Sequence, residues 1–136
     1  MQIRRGFYLH KIIEKKDNGR VKIITGIRRC GKSYLLFHLY RDYLLSSGIE
    51  DGQIISIALD EIDMLEYRNP FKLNDYIKEK TQDETKKYYV FIDEIQLSIA
   101  VKNPYLESDE KTVTFVDVLL GLMKRDNLDI YVTGSN

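Results

Sequence analysis

The chain reads as an α/β protein, a parallel sheet in a three-layer α/β/α arrangement, built as one domain over residues 1–136. Three observations predict this. Short runs rich in β-branched and aromatic residues, at 21–25, 53–59, 88–92 and 129–133, alternate with segments of helical period. That alternation gives a βαβαβαβ order with right-handed crossovers. The first run leads straight into a glycine-bearing loop and a helix, and the third is apolar until it ends in two carboxylates. A buried central strand of a parallel sheet has that second pattern, delivering polar groups to its C-terminal end, where open α/β sheets bind ligands.

Taken in order, residues 3–15 carry apolar side chains at Ile3, Phe7, Tyr8 and Ile12, which predicts a short amphipathic helix. Phe7 or Tyr8 could cover a bound base, but core packing is the plainer reading of both. Asp17-Asn18-Gly19 is a turn, and residues 21–25 are the first strand. Gly26-Ile27-Arg28-Arg29-Cys30-Gly31-Lys32-Ser33 follows and fits G-x-x-x-x-G-K-[ST] in the strand–loop–helix setting that a phosphate-binding loop requires. A nucleoside triphosphate needs donors and positive charge without bulk. Glycines let backbone N–H groups turn inward, and the helix start adds unpaired N–H groups and the positive end of its dipole. Lys32 would sit on the β- and γ-phosphate oxygens, and the Ser33 hydroxyl on Mg²⁺. Gly26, Ile27, Arg28, Arg29, Cys30, Gly31, Lys32, Ser33 and Tyr34 are thus the nucleotide-binding candidates from this segment. Residues 32–47 form the helix, with Leu35, Leu36, Leu39, Tyr43 and Leu44 on one broad face and Gly48 at its C′ position.

Residues 53–59 make the second strand; Asp60-Glu61 at its end could reach the metal region, but a solvated loop is the plainer reading. Residues 73–80 look helical, and 81–87 are a charged surface loop. The third strand, 88–92, delivers Asp93 and Glu94. Asp93 would hold Mg²⁺, directly or through water, and Glu94 would polarise the attacking water. A strand ending in an acidic turn is common; its position downstream of the glycine loop gives this one its meaning.

Residues 103–111 are acidic and turn-rich, with Pro104 as a breaker, and mark a mobile insertion. Thr114 offers an N-cap with Asp117 three residues on. Phe115, Val118, Leu119, Leu122 and Met123 form the apolar face of the next helix. Asp126-Asn127 is a turn, and 129–133 is the last strand. Its tip, Thr133-Gly134-Ser135-Asn136, could place a hydroxyl or amide near the γ-phosphate, which adds Asn136 to the nucleotide-binding candidates. Thr133, Ser135 and Asn136 are not ranked by sequence, and an ordinary strand exit reads the same way.

Composition bounds what such a domain does. The 21 basic and 21 acidic residues balance, so no charge excess points to a nucleic-acid surface or an acidic tail. The 43% apolar content suffices for a core. A single cysteine, Cys30, excludes an internal disulfide framework and fits a reducing, cytoplasmic compartment. Its place beside a helix start and two arginines would permit a redox-sensitive loop; a small residue at a tolerant position is the plainer reading. His10 and His38 are isolated, so no zinc set forms. Residues 1–10 lack the apolar core of a secretory signal, and no apolar run approaches the ~18 residues of a membrane span.

The glycine loop Gly26–Ser33, the run Phe91-Ile92-Asp93-Glu94-Ile95-Gln96, the stretch Asn103-Pro104-Tyr105 and the closing Thr133-Gly134-Ser135-Asn136 resemble AAA-type P-loop ATPases of bacteria and archaea whose Walker A reads G-I-R-R-x-G-K-S. The second segment is similar to that family's Walker B with a trailing Gln, and the last to its sensor strand. The resemblance implies a P-loop NTPase fold with strand order 2-3-4-1. It also implies an ATPase core within a longer chain that carries a further C-terminal domain. The family's fifth strand, helical lid and second sensor arginine have no counterpart here, leaving the first strand at an open edge that favours self-association. Catalysis would rest on Glu94 and Lys32, with Ser33 and Asp93 on the metal, ATP and Mg²⁺ as cofactors, and the segment alone poorly active. Arg28 and Arg29 could reach phosphate or a neighbouring subunit, or serve only as surface cations. Two other functions fit the same loop: a small-molecule kinase, which the Asp93-Glu94 pair argues against, and a nucleotide-gated switch with little turnover.

Overall fold

Alternation along the third strand decides the layering. In β3 (Tyr88–Asp93), Tyr88, Val90 and Ile92 pack into one apolar cluster and Tyr89 and Phe91 into another, and every residue is buried. Burial on both faces is the mark of a parallel sheet covered by helices on each side. The computed structural model describes the backbone of residues 2–25, 29–105 and 112–134, with side chains from residue 8 onward apart from 29 and 30.

β3 pairs in parallel with β2 (Ile54–Ala58) on one side and with β6 (Leu128–Thr133) on the other, and β6 pairs in parallel with β1 (Lys22–Ile24). The sheet order is therefore β1-β6-β3-β2, with β1 and β2 as the edges among the described residues. On one face lie α4 (Pro70–Lys80) and α5 (Phe115–Leu122), which bury Leu73, Ile77, Val118, Leu119 and Leu122 against the sheet. On the other lie α1 (Gln2–Glu14) and the helix that follows β1, with Ile12, Leu35, Leu36, Tyr40 and Leu44 in its core. Tyr8 is half-buried in that second cluster, as a packing residue.

Several boundaries differ from those the sequence predicts. The helix after β1 starts at Arg29 rather than at 32 and has three parts: α2 (Arg29–Tyr34), a π-helical segment Leu35–Tyr40, and α3 (Arg41–Ser46). Tyr34, Tyr40 and Arg41 keep right-handed helical dihedrals, so the run does not break. Wider turns of this kind shift every later side chain around the axis. The effect here is to bury Tyr40 fully, while Leu39 and Tyr43, expected on the apolar face, are half-covered. The helix ends in a Schellman arrangement: Gly48 has φ +95°, its N–H bonds to Leu45 O (3.2 Å), and the Ile49 N–H bonds to Leu44 O (3.1 Å). A residue with a Cβ is strained at that φ, which is why glycine stands there.

α4 begins three residues before the expected 73, because Asn69 caps it by accepting from the Phe71 N–H (2.9 Å) and Pro70 fills the first helical position. A 3₁₀ segment, Ile62–Arg68, precedes it, in a stretch to which the sequence reading assigns no element. Asp60 and Glu61 are exposed, as the sequence predicts. Thr114 and Asp117 form the predicted capping box at α5, but Met123, assigned to its apolar face, is 38% exposed. Two short strands, β4 (Val101–Lys102) and β5 (Thr112–Val113), form an antiparallel ribbon on either side of 103–111. Most of that expected insertion, residues 106–111, lies outside the described residues. Among the described residues no helix is long and apolar enough to cross a membrane.

Candidate functional site

Sheet register assembles the site. Ile24 lies opposite Thr133, Val132 opposite Ile92, and Asp93 opposite Ala58, so the C-terminal ends of β1, β6 and β3 fall in one row. The chain leaves β1 toward the glycine loop and α2, and leaves β3 at Asp93. Register alone thus brings the start of α2 to the carboxylates.

The contacts are specific. The Ser33 hydroxyl donates to Asp93 Oδ2 at 2.7 Å. The Thr133 hydroxyl donates to Asp93 Oδ1 and accepts from the Glu94 N–H at 2.9 Å. The Lys32 ammonium donates to the Gly134 carbonyl at 2.5 Å. Lys32, Asp93, Glu94 and Thr133 are all buried, the most accessible of them only 4% exposed. Burying this many polar groups costs free energy unless each is hydrogen-bonded, and ionised partners make those bonds stronger.

Glu94 is the point of backbone strain. Its φ of 61° and ψ of 50° place a non-glycine residue in the left-handed region, at a cost of about 1–3 kcal/mol. The strand cannot continue through that conformation. It turns into a 3₁₀ segment, Ile95–Leu97, closed by the Leu97 N–H on Glu94 O (3.0 Å). The turn brings Gln96 back over Glu94, where its amide donates to Glu94 Oε2 at 2.9 Å. Across from this turn, Gly134 has room for little else: a Cβ there would lie 3.2 Å from Ile95 Cγ2 and 3.5 Å from Gln96 Oε1.

Among the sequence candidates, then, Lys32, Ser33, Asp93 and Glu94 come together at one end of the sheet. Gly31 is half-buried in α2. Tyr34 is 40% exposed, with its ring 5.0 Å from that of His38. Gly26, Ile27, Arg28, Ser135 and Asn136 lie outside the described residues, as do the side chains of Arg29, Cys30 and Phe7. Oxygen donors suit a hard cation: one hydroxyl and one carboxylate leave most of its coordination to water and phosphate, which is how Mg²⁺ is usually held. Among the described residues no group of three His, Cys, Asp or Glu side chains could hold a metal without such help. A groove of about 320 Å³ runs along the β1 edge beside Tyr8, Lys11, Ile23 and Leu35; none of the four candidates lines it.

Two features escape sequence reasoning. Thr133, the one of the three unranked residues that is described, ties Asp93 to Glu94. At the opposite end of the strands, Lys22 and Asp129 form a buried ion pair. Asp129 also accepts from the Asp17 N–H (2.9 Å) and the Tyr131 hydroxyl, which meets the Tyr40 hydroxyl at 2.6 Å. Burial, and for Tyr131 the nearby Asp129 charge, push both tyrosine pKa values well up, so both phenols keep their protons. Opposite charges inside two apolar runs were the available signal.

An uncharacterised protein of Haemophilus influenzae is 34% identical over 134 residues, covering 98% of this chain and 30% of that protein. An uncharacterised protein of Methanocaldococcus jannaschii is 40% identical over 50 residues, covering 34% of this chain and 11% of that protein. The chain therefore spans less than a third of the length of these relatives. A model of the AAA domain matches residues 18–136, from the turn before β1 to the end of the sequence. With an α/β fold, a parallel sheet and the match running through every strand, the chain belongs to the AAA domain family, whose type is nucleotide-binding and ATPase-like.

Proposed function

We propose that this domain binds ATP with Mg²⁺ and hydrolyses it, as the nucleotide-binding core of a larger ATPase. The observation that carries the reading is the Ser33–Asp93 hydrogen bond of 2.7 Å beside a buried Lys32. Those residues belong to the two sequence motifs read as Walker A and Walker B, and strand register joins them.

In this reading Lys32 exchanges the Gly134 carbonyl for phosphate oxygens, together with the backbone N–H groups of residues 26–33. Ser33 and Asp93 would hold Mg²⁺, which when bound neutralises phosphate charge. Glu94 orients a water and accepts its proton. Thr133 fixes both carboxylate-bearing residues at once. Arg28 or Arg29 would serve phosphate charge, and Asn136 the γ-phosphate end. The process coupled to hydrolysis belongs to the larger protein.

Titration of the full-length protein with ATP, GTP and ADP, each with Mg²⁺, tests the reading by thermal shift and phosphate release. Ligand binding raises stability with the logarithm of concentration over Kd. ATP with Mg²⁺ should stabilise the protein, and Glu94→Gln should keep ATP affinity while abolishing turnover. No stabilisation by any nucleotide would overturn the reading, and equal loss of affinity and turnover in the variant would remove Glu94 from its role. A phosphotransfer screen separates hydrolysis from kinase activity.

A further inference from the structure

Gln96 closes the Asp93-Glu94-Ile95-Gln96 run and has no role in the function proposed above. An exposed glutamine is ordinarily solvated, and Gln96 is exposed. Its amide is nevertheless directed inward, donating to Oε2 of a glutamate that is only 2% exposed. The left-handed conformation at Glu94 and the 3₁₀ turn after it bring side chains 94 and 96 together. Gly134 lies against the same turn, its ideal Cβ 3.5 Å from Gln96 Oε1, an ordinary van der Waals distance. The carbonyl of that same glycine receives Lys32. Gln96 therefore sits where the tip of β6, the lysine and the glutamate meet.

A carboxylate that activates water must present one oxygen in a fixed direction, and misplacement by about 1 Å costs on the order of 100-fold in rate. The Glu94 backbone is already fixed, by its N–H to Thr133 and by the 3₁₀ turn. Its side chain has further torsions, and a donor on Oε2 restrains them. We propose that Gln96 is a positioning residue that holds the Glu94 carboxylate in the orientation used for water activation. The inference rests on the reading of Glu94 as the water-activating base.

Two sets of variants of the full-length protein test it. Gln96→Ala, at an exposed position, leaves the fold intact; kcat should fall by about 10- to 100-fold while the Kd for ATP with Mg²⁺ changes by less than about threefold. The contact itself is tested without nucleotide. Gln96→Glu sets two carboxylates against each other and should lower Tm by several degrees, on the order expected for loss of one favourable contact. The exchange E94Q/Q96E restores a donor–acceptor pair with the roles reversed; it should recover most of that Tm while turnover stays lost. A Gln96→Ala kcat within about twofold of wild type, or a loss of ATP affinity as large as the loss of rate, would overturn the positioning role. Tm changes that simply add across the exchange cycle would remove the contact on which it depends. Wild-type protein that binds ATP with Mg²⁺ but never turns it over would instead defeat the ATPase reading, and the role of Gln96 with it.

Discussion

Thr133 and Glu94 meet across the sheet: the Glu94 N–H donates to the Thr133 hydroxyl at 2.9 Å, and that hydroxyl donates in turn to Asp93. One fully buried side chain thus satisfies a strained backbone and a carboxylate together. Thr133→Val keeps the shape and removes both bonds. It should destabilise the fold by about 1–3 kcal/mol, since a buried N–H is left without its acceptor. Turnover should fall further than stability accounts for. Urea unfolding and phosphate release on the same variant check the two effects separately.

The Lys22–Asp129 pair predicts a stability effect far from the site. Removing one partner leaves the other charged in a buried place, at about 3–5 kcal/mol. Lys22→Met should show a loss of that size in urea unfolding, and the double variant K22M/D129N should recover part of it. ATP affinity of the folded protein should not move, because the pair lies at the N-terminal end of the strands. A double variant no more stable than the single one would show that Asp129 does not depend on Lys22.

Asp17 gives a pH dependence. Burial raises its pKa, but hydrogen bonds and charge from Lys16 (2.8 Å) and Lys87 (3.0 Å) outweigh that and hold its carboxyl below the usual value. Its contribution to stability is therefore full above the unfolded-state value of about 4 and is lost as pH falls through the folded-state value. The side chain is 35% exposed, and solvent screening keeps the contribution below about 1 kcal/mol. Asp17→Asn keeps a residue that tolerates the φ of 58° there. The variant should be slightly less stable than wild type at neutral pH, and the stability difference should shrink as pH falls below the unfolded-state value and through the folded-state one.

Strand β1 presents an unpaired edge among the described residues, with Ile23 68% exposed on it. Exposed edges of this kind pair with other chains. Residues 1–136 expressed alone should self-associate at high concentration, seen as a rise in mean mass in analytical ultracentrifugation. A strict monomer at every concentration would count against pairing through β1.

Much of the layering was legible because period-2 burial and period-3.6 burial leave different marks in sequence. The helix start at Arg29 and the π-helical segment were not: a widened turn changes hydrogen bonding by one residue while the apolar pattern stays helical, so Tyr40 fell outside the expected face. Lys22 and Asp129 were read past because charges default to solvent, and only the pairing of two distant strands neutralises them. At the site, Lys32, Ser33, Asp93 and Glu94 could be named because their chemistry is spaced along motifs. Thr133 could not be singled out, since its role depends on the Glu94 N–H, which sequence does not set beside it. Gln96 was visible only as a letter after the acidic pair; its contact depends on a left-handed residue that no propensity assigns to glutamate.

The ribbon of β4 and β5 ties Val101 to Val113 and Lys102 to Thr112. A segment grafted between those two rungs would be gripped at its base by both. That makes the pair of rungs a practical port for a fluorophore tag or an epitope.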